Sequence, residues 1–199
     1  MRVRQWVIFG STLFAIAPLR AQAPPPPNTT QAIDATIGNE VLQLRYLTDS
    51  PLRDVKSNLD YGVLLSESRE FVGSAAWMFE TDLNVLPRLR FQVGPQGYLG
   101  LLAAQQKTDV FAVALGANAR YDLIRRIGLA AFGSGFYSPG VLTFGSAHNL
   151  YDFTAGAEIR LASRLTGMAG YRWLKFTLVN EPDEKVANEL FAGVRWRLE

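Results

Sequence analysis

The sequence predicts an all-β fold: a single antiparallel up-and-down transmembrane β-barrel, with ten strands as the best count and eight as the fallback. Three observations predict it. The chain opens on an export leader, alternation of apolar with polar or small residues then recurs through the remainder, and no later apolar run reaches the length of a spanning helix.

The leader comes first. Arg2 and Arg4 precede an apolar stretch from Trp6 to Leu19, and Ala21-Gln22-Ala23 supplies the small-x-small pattern of a leader-peptidase site, which places cleavage after Ala23. Those 14 apolar residues are too few for the roughly 20 that a membrane anchor needs. Residues 24–31 then hold Pro24 to Pro27 in a row, followed by Asn28, Thr29 and Thr30, a composition that favours extended polyproline II and reads as a flexible periplasmic tail. The barrel domain is expected over residues 32–199.

Composition narrows the function classes. Cysteine is absent, which removes disulfides, thiolate metal sites and cysteine nucleophiles. The formal charge of +2 falls to −1 once Arg2, Arg4 and Arg20 leave with the leader, so the mature chain carries no basic excess for nucleic acid. No phosphate-binding glycine loop precedes a helix, and no cofactor or metal is expected. Asp183 and Glu184 are the acidic pair weighed for calcium, and nothing in the sequence requires it.

Ten strands are read in order: 32–37, 41–48, 58–66, 71–82, 88–103, 109–122, 127–136, 150–161, 165–178 and 185–198. The clearest is Tyr151 to Leu161, where Tyr151, Phe153, Ala155, Ala157, Ile159 and Leu161 share one face against Asp152, Thr154, Gly156, Glu158 and Arg160. Ala162-Ser163-Arg164 joins it to Leu165–Trp173 as a tight hairpin. From Phe111 to Tyr121 the same rule sets Phe111, Val113, Leu115 and Tyr121 against Ala112, Ala114, Gly116, Asn118 and Arg120. Leu59, Tyr61, Val63 and Leu65 alternate with Asp60 and Gly62, and Phe71, Gly73, Ala75, Trp77 and Phe79 alternate with Ser74, Ala76 and Met78. Leu89, Phe91 and Val93 continue through Gly94-Pro95-Gln96-Gly97 as an expected bulged strand, because proline cannot donate to a ladder. An even count returns both termini to the periplasm, with short turns near Ile124-Arg125-Arg126 and Ala162-Ser163-Arg164 on that side and a long Tyr137–Asn149 loop outside. Tyr121, Tyr151, Phe153, Tyr171, Trp173 and Trp196 are expected near strand ends as aromatic girdles at the headgroup level.

The closing segment, Glu189 to Glu199, alternates Leu190, Ala192, Val194, Trp196 and Leu198, and resembles the terminal strand that barrel-assembly machinery reads in outer-membrane proteins. It ends on Leu198-Glu199 where such strands usually end on an aromatic residue. Three runs, Val93-Gly94-Pro95-Gln96-Gly97-Tyr98, Ala114-Leu115-Gly116-Ala117-Asn118-Ala119-Arg120-Tyr121 and Phe136-Tyr137-Ser138-Pro139, resemble the YfaZ family of small outer-membrane proteins. The resemblance covers roughly Ile33 to Glu199. It implies an exported outer-membrane barrel in contact with lipid and lipopolysaccharide, and brings no activity to assign to particular residues.

If the apolar faces meet lipid, the opposite face turns Arg45, Asp60, Glu80, Arg88, Arg90, Arg120, Asp152, Glu158, Arg160, Arg172, Glu189, Arg195 and Arg197 inward. The expected lumen network is Arg88, Arg90, Arg120, Glu158, Arg160, Arg172, Glu189 and Arg195, interlocked in charged hydrogen bonds that fill a narrow bore. A structural or interaction role follows from a filled lumen. The alternative is a narrow porin-like channel whose arginines attract small anions. A third reading makes Ser146, His148 and Asp152 a nucleophile, base and orienter of a surface lipid- or peptide-hydrolase; His148 is the only histidine, so an enzyme is not the expectation. Lipid-facing and partner-facing apolar surfaces share one composition, which leaves oligomeric state open.

Overall fold

The computed structural model describes residues 31–50, 52, 55–68, 70–81, 88–102, 108–178 and 183–198. The leader and the proline run through Thr30 lie outside the described residues. Ten strands carry the barrel: β1 (Ala32–Gly38), β2 (Val41–Asp49), β3 (Ser57–Ser66), β4 (Phe71–Thr81), β5 (Leu89–Leu102), β6 (Thr108–Ile124), β7 (Leu129–Ser138), β9 (Ala147–Arg160), β10 (Leu165–Leu178) and β11 (Glu184–Arg197). An eleventh short strand, β8 (Thr143–Gly145), follows a 3-10 turn at Gly140–Leu142 and pairs with β6. Each of the ten lies within three residues of the range read from the alternation, and ten, not eight, is the count.

Every neighbouring pair is antiparallel, and the circuit closes through β1 with β11 and β5 with β6. Closure leaves no free edge over the paired span, so backbone donors and acceptors are satisfied within the wall. Up-and-down order puts Ala32 and Arg197 at one end, together with the described turns 125–128 and 161–164. The far end carries the described connections 39–40 and 139–146. The expected contrast between short and long connections is confined to 139–146, which holds the 3-10 turn and β8; the β1–β2 connection at the far end is only two residues long.

Two turns show why these residues punctuate the chain. Gly128 closes the β6–β7 turn with φ +67°, a left-handed conformation costly for a residue with a Cβ, and its N–H donates to the Arg125 carbonyl at 3.2 Å. Between β9 and β10 the Leu161 and Ala162 N–H groups both donate to the Leu165 carbonyl, which fixes the tight hairpin.

The expected bulge at Pro95 is absent. The β5–β6 register runs unbroken from Leu89↔Tyr121 to Leu102↔Thr108, and the β4–β5 pairing lapses opposite Gly94 and Pro95 and resumes in the same register. The strand bears a missing donor by giving up a short stretch of one ladder, without inserting a residue.

Side chains alternate as the sequence requires. Outward positions expose Ile37 (64%), Leu115 (63%) and Leu190 (75%), with Leu44, Val63, Leu99 and Phe111 among many others. Tyr137, Tyr151 and Trp173 form a contiguous outward aromatic row, with ring centroids 5.0 and 6.1 Å apart. Tyr121 and Trp196 stand near the terminus end of β6 and β11. Phe153 and Tyr171 do not stand near strand ends. β9 begins three residues before its expected start, which moves Phe153 to mid-strand, and Tyr171 is the seventh of fourteen residues in β10.

Candidate functional site

The interior is divided into two halves by the kind of residue each strand turns inward. Toward the far end most inward positions are apolar: Val110, Leu150 and Phe176 are fully buried, and Leu102, Leu174 and Val186 pack with them. This layer seals the bore. Toward the terminus end the inward residues are smaller and polar, and they leave a cavity of about 2030 Å³ that opens at that end and stops against Leu64, Val72, Phe136 and Leu174. The expected polar filling of the whole lumen therefore holds only for the terminus half. The far half is closed by hydrophobic packing, which avoids the desolvation that a layer of charges would meet there.

Inside the cavity the charges pair across strands. Arg195 grips Asp34 with two hydrogen bonds, Nε to Oδ1 at 2.7 Å and Nη2 to Oδ2 at 2.8 Å, and its Nη1 donates to Glu158 Oε2 at 3.2 Å. Arg120 reaches the other oxygen of Glu158 through Nε at 2.5 Å and also pairs with Asp122. Glu158, 4% exposed, thus bridges two arginines and links β1, β6, β9 and β11 into one network. Arg45 on β2 forms a separate two-bond pair with Asp60 on β3. Tyr98, the last residue of the Val93–Tyr98 run, donates its hydroxyl to Asp152 Oδ2 at 2.7 Å from across the bore.

At the blind end of the cavity Arg172 is 3% exposed. Its Nη2 donates to Thr36 Oγ1 at 2.8 Å, its guanidinium lies 4.8 Å from the centre of the Phe191 ring, and its Nη1 has no hydrogen-bond partner. Glu189 stands directly opposite it in the β10–β11 register, yet turns to the β1–β2 tip, where Oε2 accepts from the Glu40 N–H at 2.7 Å. Glycine at 38 makes that possible, because a Cβ there would fall on the Glu189 carboxylate.

The eight residues expected as one lumen network thus separate. Arg120, Glu158 and Arg195 are joined. Arg172 and Glu189 are neighbours without a bond between them. Arg90 and Arg160 line the cavity near its mouth, and Arg88 is an exposed turn residue before β5 that does not line it. Asp34, Thr36 and Tyr98 belong to the site and were not singled out from the sequence.

Ser146, His148 and Asp152 are not brought together. Asp152 faces the cavity under Tyr98, His148 is exposed beside the irregularity at the end of β9, and Ser146 lies in the turn after β8. Asp183 pairs with Lys175, 2.5 Å away.

Comparison with known proteins follows this geometry. The sequence model of a family described as "YfaZ precursor" matches residues 72–198. No curated protein sequence matches. Among solved structures, the outer membrane channel DcaP of Acinetobacter baumannii is similar at 7% identity and a TM-score of 0.44, over 83% of this chain and 54% of that one, so this chain spans about half its length. The KdgM porin, in complex with disordered oligogalacturonate, is similar at 12% identity and a TM-score of 0.43, over 85% of this chain and 99% of that one.

Proposed function

This chain belongs to the YfaZ family, and we propose that it is an exported, integral outer-membrane barrel with a structural or interaction role, its bore closed toward the cell exterior and its polar cavity open to the periplasm. The observation that carries this reading is the pairing of a closed ten-strand circuit with an exposed aliphatic outer surface. Isoleucine, leucine and valine spread around a closed wall are far more apolar surface than a soluble monomer leaves in water, and hydrocarbon is the solvent that suits them. Orientation follows from the termini, which share the periplasmic end in an even-stranded barrel. The leader and the family's description as a precursor support export.

The apolar layer around Phe176 supports a bore that does not conduct at rest. A narrow channel is the second reading, favoured by a cavity that already runs from the mouth to that layer. The experiment is to fold the mature chain in detergent, confirm slower migration after boiling than before, and record planar-bilayer conductance. Heat-modified mobility without stepwise current supports the closed barrel. Steady stepwise current would replace it with the channel, and solubility without detergent would overturn the membrane reading.

A further inference from the structure

The cavity's own charges are not all spent. Deep inside, each carboxylate has a named donor: Asp34, Asp60 and Glu158 are held by arginine and Asp152 by Tyr98. Nearer the mouth, Arg90, Arg160 and Arg197 line the cavity and have no carboxylate within ion-pair distance among the described residues. Arg90 also stands directly opposite Arg120 in the β5–β6 register, and Arg120 is the one of the two that Glu158 and Asp122 already hold. Among the described residues Glu80 is the cavity-lining carboxylate at this level without a cation in ion-pair distance, so the mouth retains a positive excess.

These three arginines surround the mouth from three walls. β5 and β11 are five strands apart by either route around the circuit, so Arg90 and Arg197 stand on opposite walls of the mouth, and Arg160 on β9 stands on the wall between them with its guanidinium beside Gly128. Guanidinium groups match the planar oxygens of phosphate and carboxylate, and inside a walled mouth they are less screened than on an open surface.

We infer that the mouth of the cavity is a binding site for a soluble multivalent anion, carrying phosphate or carboxylate groups, that enters from the periplasmic side and is held by Arg90, Arg160 and Arg197. The inference rests on the membrane-barrel reading above, which sets the side of entry and the water-filled bore. Anion capture from that side needs no opening of the apolar layer, so it is compatible with a barrel that carries no current.

The test uses the mature chain folded in a zwitterionic detergent, with inorganic tripolyphosphate as the probe and calorimetry as the readout; unheated gel mobility verifies folding of every variant. Saturable binding is expected, weakened by added sodium chloride, with Kd raised about tenfold by Arg160→Gln or Arg197→Gln. Arg88→Gln and Arg126→Gln, exposed basic residues that do not line the cavity, should leave Kd unchanged. A heat-modifiable barrel that does not bind tripolyphosphate overturns the inference and leaves the barrel reading standing; failure to fold as a barrel overturns both. Equal weakening by Arg88→Gln and Arg126→Gln reduces the effect to general surface charge and also overturns it. Loss of binding in vesicles containing phosphatidylglycerol would assign the arginines to lipid headgroups instead of a soluble anion.

Discussion

Glu158→Ala removes a carboxylate that serves two arginines, and the arrangement around it sets the size of the loss. Charge-assisted hydrogen bonds contribute about 1.5–3 kcal/mol each, so deleting the two would cost about 3–6 kcal/mol if each arginine were stranded. Neither is. Arg195 keeps both bonds to Asp34, Arg120 keeps Asp122, and both arginine side chains are nearly a third exposed to the cavity, where water screens them. About 2 kcal/mol is the expected cost. Glu158→Gln, which keeps the shape and one acceptor, should cost about 1 kcal/mol. Asp60→Ala is the contrast, because Asp60 is the carboxylate that Arg45 holds with two bonds, and removing both leaves a guanidinium, about a third exposed to the cavity, without a bonded carboxylate, at about 3 kcal/mol after screening. Urea unfolding in lipid vesicles, followed by tryptophan fluorescence, measures all three. The reasoning fails if Glu158→Ala is as costly as Asp60→Ala, since the second carboxylates would then compensate nothing.

Three further outcomes follow from the same geometry. Phe176→Ala opens the centre of the apolar layer, with an expected loss of about 3–5 kcal/mol in the same unfolding assay and the appearance of bilayer current that the parent lacks. Leu115→Arg places a charge on the outward face well inside β6 and should cost about 2–4 kcal/mol in vesicles; an unchanged midpoint would mean that this face meets water. Arg172→Met should cost about 1 kcal/mol despite near-complete burial, because the guanidinium already leaves one nitrogen unpaired, gives up a single hydrogen bond to Thr36, and methionine keeps an apolar contact with the Phe191 ring; a loss several times larger would reveal a partner for Nη1.

What the sequence made legible is the wall. Alternation from Tyr151 to Leu161 and from Phe111 to Tyr121 is strong because one face is apolar and the other is polar or small, and that contrast places each residue inward or outward without knowledge of its neighbours. The same test fails where both faces are apolar. In Trp173-Leu174-Lys175-Phe176 the inward residues Leu174 and Phe176 are as hydrophobic as outward Trp173, so nothing in the pattern signals a seal. Pairing partners are hidden for another reason. Arg195 and Asp34 are 161 residues apart and meet only because β1 closes the circuit against β11, which no local spacing records. The hydroxyl–imidazole–carboxylate grouping around His148 marks the limit of local spacing: Ser146 lies in the turn after β8, His148 is exposed and Asp152 faces the cavity.

The half-sealed bore is a consequence of strand number met by residue size. Eight strands give an interior that ordinary side chains fill, and ten give a wider one, so a ten-strand barrel closes only where its inward residues are large. Here Phe136, Phe176 and Tyr98 supply that volume toward the far end, and Asp34, Asn58, Ser134 and Thr154 do not supply it toward the termini. The wall is the same in both halves. Closure and cavity are therefore set by a handful of inward positions and are independent of the outward residues that meet the membrane, so the depth of the cavity can change by substitution at those positions while the strand register that holds the barrel together stays fixed. On this argument the seal and the arginine-lined mouth are separable features: Phe176→Ala should leave the mouth's charge untouched, and Arg160→Gln should leave the seal intact.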